Sequence, residues 1–98
     1  MRTYAFAPAA RRDLQSQIDY LNERNAFDAA DRLVARVESF LAKFLIDHPQ
    51  SGLFLAHRDL WEIWIPRTRL VLWYRFTDNE LQVAGIWHTS QDRHAADF

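Results

Sequence analysis

Glu62, Arg69 and His88 bring a carboxylate, a guanidinium and an imidazole into the C-terminal half of the chain. Those three groups make an acid/base pair with a phosphate-stabilising partner, the set that RNA cleavage uses. His88 suits the base, since an imidazole titrates near neutrality. Each residue also has a structural use. Arg69 can pair with Glu62 or Glu80 across a sheet, and His88 can end a strand by hydrogen-bonding a turn. No lysine lies on the predicted strands, so catalysis is the weaker expectation. His48, His57, His88 and His94 do not have a compact metal-ligand spacing, and Asp92 and Asp97 beside His94 form a charged tail. No metal and no cofactor is therefore expected. Trp61, Trp64, Trp73 and Trp87 have the chemistry to stack bases or to anchor a protein partner. Most strand aromatics are core, so two or three should be buried and one or two should face a partner.

The elements that position these residues are legible from periodicity. From Arg69 the chain alternates: Arg69, Val71, Trp73 and Arg75 point one way, and Leu70, Leu72, Tyr74 and Phe76 the other. Thr77-Asp78-Asn79-Glu80 accepts a tight reversal, and Leu81 to His88 is again β-rich. An antiparallel hairpin follows, with one apolar face and one face carrying arginines.

Upstream, residues 2–6 alternate as a short strand with Tyr4 and Phe6 on one side. Pro8 opens a helix at a position where its missing N–H costs nothing; Ala7 is a poor cap, so this end is expected to fray. Leu14, Ile18 and Leu21 form its apolar stripe, and Arg11, Arg12 and Asp13 a solvated face. Asn25, with Asp28 three residues on, predicts the cap of a second helix. Phe27, Ala30, Val34, Val37, Leu41 and Phe44 then make the seam of a helical hairpin. This helix should end near Asp47, because His48 precedes Pro49. Ser51-Gly52 turns the chain into short strand candidates at Leu53–Leu55 and Leu60–Ile65, and Pro66 marks a strand end or edge. Ala95, Ala96 and Phe98 predict a loose last turn.

The order condenses to β-α-α-β-β-β in one domain, residues 1–98: an α+β fold whose antiparallel sheet carries a helical hairpin on one face. The other face is free, and four tryptophans are too many to hide behind two helices. At least one should lie on that free face, where an apolar patch usually means a partner.

Composition narrows the class. Hydrophobic residues make 49% of the chain and charged ones 26%, with a net charge of −1. Those fractions are globular, and the near-neutral charge argues against direct binding to nucleic acid alone. The absence of cysteine fits a reducing, cytoplasmic setting. No apolar run is long enough to span a membrane, and the start lacks a signal peptide's apolar region. The charge is nonetheless uneven: Arg67, Arg69 and Arg75 fall between Ile63 and Phe76 with no acid among them.

Five segments in register resemble the RelE/ParE toxin superfamily. They are F-A-P-A-A-R-R-D-L at 6–14, A-A-D-R at 29–32, H-P-Q-S-G at 48–52, R-L-V-L-W-Y-R at 69–75 and I-W-H-T-S-Q-D-R at 86–93. The last is most similar to the ending of the ParE branch. The resemblance implies the toxin of a type II toxin–antitoxin pair that inhibits DNA gyrase. It also implies a ParD-like antitoxin with a ribbon-helix-helix N-terminus and a disordered C-terminal segment that wraps the toxin. The basic stretch 63–76 predicts that this segment is acidic. On this reading Arg67, Arg69, Arg75, His88, Gln91 and Arg93 would bind the target, and Trp61, Trp64, Trp73 and Trp87 the antitoxin. Two positions depart from the pattern. Ala7 replaces a usual Ser, and Gln91 a usual Arg for which Arg93 is the candidate substitute. The alternative is a ribosome-dependent mRNA endonuclease of RelE type with Glu62, Arg69 and His88 catalytic, although Thr89 stands where a relative's functional tyrosine follows the histidine. A third reading, kept alive by Gln91, is a relative that retains only antitoxin binding.

Overall fold

A computed structural model describes residues 2–91, except for the side chain of Gln91. Arg93 and the expected turn at Ala95, Ala96 and Phe98 lie outside the described residues. The elements are β1 (Thr3–Phe6), α1 (Pro8–Glu23), α2 (Phe27–Phe40), β2 (Leu53–Leu55), β3 (Leu60–Trp64), β4 (Leu70–Phe76) and β5 (Glu80–His88). One open sheet runs β1-β5-β4-β3-β2. Its neighbours are antiparallel except β1, which runs parallel to β5. The fold is α+β with the helical hairpin on one face. Four strands follow the helices rather than three, because Leu53–Leu55 pairs with Leu60–Glu62 as a short edge strand.

The alternation in β4 decides how the layers meet. Leu70, Leu72 and Tyr74 pack beneath the helices with Leu14, Val37, Leu41, Leu81, Val83 and Ile86. Val71 and Trp73 face the other way and join Leu60 and Trp87 in a second, smaller cluster. Of the expected α2 seam, Ala30, Val37 and Leu41 are buried, whereas Phe27 and Phe44 at its ends are exposed. Arg2 stitches the far edge: it donates to the carbonyls of Thr77 and Ile46, at the β4–β5 turn and just past the second helix.

Three local details differ from expectation. Asn25 does not cap α2, whose first turn makes no side-chain cap bond. It sits at φ 58° and closes α1 instead. The Asn25 amide donates to Asn22 O at 3.0 Å and the Ala26 amide to Leu21 O at 2.9 Å, the paired bonds of a left-handed helix terminus. Asparagine tolerates that conformation where most side chains are strained. Ala7 makes no side-chain cap either, but its amide donates to Val83 O at 2.9 Å, so the sheet ladder holds this end of α1. α2 itself stops at Phe40, and a π-helical turn, Leu41–Leu45, carries the chain on.

The link from α2 to the sheet is clipped by one side chain. Tyr74 is fully buried, and its hydroxyl donates to Pro49 O at 2.7 Å. Gly52 passes so close that an added Cβ would lie 2.6 Å from both Glu62 O and the Tyr74 hydroxyl. The H-P-Q-S-G segment thus has a physical reason: Pro49 supplies the acceptor, and Gly52 leaves the room.

Candidate functional site

The end of the sheet where β4 begins and β5 finishes gathers the polar residues of interest. Leu70 pairs with His88, and the Thr89 amide donates to Arg69 O at 2.9 Å, extending the ladder by one bond. The β3–β4 turn is fixed from within. The Thr68 hydroxyl donates to Ile65 O at 2.8 Å and accepts the Leu70 amide at 3.0 Å. Arg67 sits at φ 61°, and its carbonyl accepts Nη1 of Arg36 at 3.1 Å. Arg67 and Arg69 therefore flank a rigid turn, both exposed.

His88 reaches this site because β5 carries a bulge. Trp73 pairs with Gly85 but Tyr74 with Val83, so Ala84 is an extra residue. A one-residue insertion reverses which side chains face which way. Before it, Leu81 and Val83 face the helices; after it, Ile86 does, while Trp87 turns to the opposite face. His88, two residues beyond Ile86, falls on the helical side. Asp13 of α1 is bound to the bulge: its Oδ2 accepts the Ile86 amide at 3.1 Å. Asp13 thus departs from the expected solvated face, while Arg11 and Arg12 lie on it, exposed. Asp13→Ala is expected to cost about 1–3 kcal/mol by stranding that amide. Urea unfolding of the two proteins measures it, and an unchanged midpoint would show that the contact contributes nothing.

A groove of about 480 Å³ results, with Tyr20, Leu21 and Leu33 on the helical side, Leu70 beneath, and Arg67, Arg69 and His88 opposite. None of its lining residues is acidic among those described. The Arg24 guanidinium lies 4.5 Å from the centre of the Tyr20 ring, within cation–π range. At His88, Nδ1 accepts the Ser90 amide at 3.1 Å and lies 2.8 Å from the Ser90 hydroxyl. An amide can only donate, so Nδ1 carries the lone pair and the proton resides on Nε2.

The other expected residues lie elsewhere. The Glu62 carboxylate is on the opposite face of the sheet, where Oε2 accepts the Trp73 indole N–H at 2.7 Å. Arg75 is six strand residues from Arg69, about 20 Å, and its Nε donates to Asp59 O at 3.1 Å. Gln91 ends a 3-10 turn, Thr89–Gln91, directly after His88. Trp61 packs under the helices against Phe54, Tyr74 and Phe76. Trp73 and Trp87 are buried on the open face at 7% and 6% exposure, whereas Trp64 is 67% exposed. Leu53, opposite Glu62 in register, is exposed beside them. Tyr20 and Leu33 escaped the sequence reading. The signal for Tyr20 was a large aromatic off the Leu14, Ile18, Leu21 stripe.

These features define a small α+β domain with a half-covered open sheet and a cationic groove at one end. The sequence profile of the family described as "ParE toxin of type II toxin-antitoxin system, parDE" matches residues 4–93, and the chain belongs to that family. Among solved structures, a chain from the "Chromosomal ParDE TA system from P. aeruginosa" shares the fold with a TM-score of 0.64 at 16% identity, over 90% of this chain and 95% of that one. Comparison with curated proteins finds no match. Among the described residues no helix is long and apolar enough to cross a membrane.

Proposed function

We propose that this toxin acts in the cytoplasm by binding DNA gyrase through the groove of Arg67, Arg69 and His88. A ParD-like antitoxin, with a ribbon-helix-helix N-terminus and an acidic C-terminal segment, silences it. The observation that carries a binding mode over a catalytic one is the separation of Glu62 from His88. The carboxylate serves Trp73 on one face, while the imidazole lines a groove on the other. The His88 Nδ1 lone pair is also committed to the Ser90 amide, which takes that nitrogen out of use as a base. Two arginines over an apolar floor are the residue types that dominate protein interfaces. Exposed Trp64 and Leu53 on the open face are the anchors available to the antitoxin there.

Purified protein tested in gyrase supercoiling and in mRNA cleavage on translating ribosomes separates this reading from the endonuclease. Loss of supercoiling with intact mRNA is expected; cut mRNA with normal supercoiling would overturn it. The Arg67→Ala, Arg69→Ala double variant should fold normally and raise the half-inhibitory concentration about tenfold or more, a loss of ~1.4 kcal/mol. Equal inhibition by the variant would remove both arginines from the target surface.

A further inference from the structure

His88 faces the groove only because Ala84 is inserted into β5. A bulge leaves its extra residue unpaired and disrupts the ladder locally, so the unbulged strand is a competing register. β1 does not guard against it, because its pairing with β5 stops at Val83. Beyond that point α1 flanks this edge of β5, and Asp13 supplies the acceptor for the Ile86 amide at 3.1 Å.

That bond is specific to the bulged register. The N–H and C=O of one strand residue point to the same edge, and alternate residues share an edge. Val83 O accepts the Ala7 amide at 2.9 Å, so Val83 faces the α1 edge. In an unbroken strand Gly85 and Trp87 would face it next. The extra residue hands that edge to Ile86, whose amide Asp13 takes. α1 is thus fastened to β5 on both sides of Ala84, by Ala7 before it and by Asp13 after it. The lengths agree: Ala7 to Asp13 rises about 9 Å along a helix, and Val83 to Ile86 spans at most about 10 Å along a strand. Asp13, Gln17 and Tyr20 stand at i, i+4 and i+7 of α1, in one row. Gln17 and Tyr20 line the groove with His88, and the adjoining depression with His88 and Ser90.

We propose that Asp13 is a positioning residue of the target-binding groove: its carboxylate selects the bulged register of β5 and so sets His88 beside Arg67 and Arg69. It acts through β5, since it does not itself line the groove. Its effect on inhibition rests on that groove being the surface that binds gyrase.

The test compares variants of the full chain. Asp13→Ala removes the acceptor. Asp13→Asn keeps an acceptor oxygen without the charge. Tyr74→Phe lowers stability at the Pro49 clip, away from the groove. The half-inhibitory concentration for gyrase is expected to rise about tenfold in Asp13→Ala and to stay within about twofold of wild type in the other two. Hydrogen exchange of the Thr89 amide is the readout that needs no target, because that amide donates to Arg69 O. It should exchange about tenfold faster in Asp13→Ala and at the wild-type rate in Asp13→Asn and Tyr74→Phe. Wild-type inhibition by Asp13→Ala, unchanged Thr89 exchange, an Asp13→Asn variant as weak as Asp13→Ala, or an equal loss in Tyr74→Phe would each overturn the proposal. Should Asp13→Ala not fold, Asp13→Glu takes its place: it keeps the charge, displaces the acceptor by one methylene, and is expected to move both readouts in the same direction. If the wild-type protein leaves supercoiling intact, the gyrase reading falls, and the exchange rates alone decide whether Asp13 holds His88 in place.

Discussion

Trp73→Ala is expected to destabilise the protein by about 3–5 kcal/mol. Trp73 is the centre of the open-face cluster. Its ring lies 6.2 Å from that of Trp87 at an interplanar angle of 57°, a geometry in which ring edge meets ring face favourably. The Arg58 guanidinium sits 4.9 Å from its centre on another side, and the indole N–H holds Glu62 at 2.7 Å. Truncation removes all three contacts and opens a void between β3, β4 and β5. Trp73→Phe separates the causes. It keeps a ring near Trp87 but loses the bond to the carboxylate, so it should cost roughly 1.5 kcal/mol, the low end for hydrogen bonds to charged groups. Urea unfolding of both variants decides. A midpoint for Trp73→Ala unchanged within error would mean that the open-face cluster adds nothing to the fold.

The same residue shows where sequence was informative. Period-two alternation in β4 reported both layers, since each side chain of an unbroken strand must face away from its neighbours. Val71 and Trp73 fell on the face opposite Leu70, Leu72 and Tyr74 as the pattern predicts. β5 was harder to read, because the Ala84 bulge reverses parity midway; its one local signal in L-Q-V-A-G-I-W-H is the neighbouring Gly85, since an isolated glycine in a strand often marks a bulge without fixing which residue is inserted. Alternation carried through from Leu81 would have set His88 on the wrong face. Asp13 was unreadable for a related reason: its partner amide is 73 residues away, and a polar residue on a helix looks solvated until the sheet beneath is known. Asn25 carried two local signals, since asparagine serves both as an N-cap and in the left-handed closure of a helix. The structure uses the second. The groove joins Tyr20 of α1 and Leu33 of α2 to Arg69 and His88 at the end of the sheet, a juxtaposition that one-dimensional spacing does not encode.

Gly52→Ala should cost about 2–4 kcal/mol, through overpacking and the loss of one buried hydrogen bond. The reason is space rather than backbone freedom, since Gly52 has φ −83° and ψ −173°, extended values open to any residue. Its new methyl would stand 2.6 Å from the Glu62 carbonyl and 2.6 Å from the Tyr74 hydroxyl. Both are fixed, one by the β2–β3 ladder and the other by its 2.7 Å bond to Pro49 O. The methyl must therefore part β2 from β3 or break the Tyr74 bond. Tyr74→Phe tests the second route alone, and should cost about 1–2 kcal/mol for the stranded carbonyl. In that background Gly52→Ala should become less damaging, since one of its two clashes has been removed; strictly additive losses would show that the hydroxyl is not the obstacle. The pH dependence gives a second readout. Burial pushes the Tyr74 hydroxyl up from 10.0 to about 12, despite an opposing hydrogen bond from Gly52. The folded state thus holds a proton that the unfolded chain releases near pH 10. The associated stability is fully present below that pH and is lost as pH rises from 10 through about 12, by at most ~1.4 kcal/mol per pH unit. Tyr74→Phe should flatten this alkaline decline. An identical slope in both proteins would place the decline in other groups.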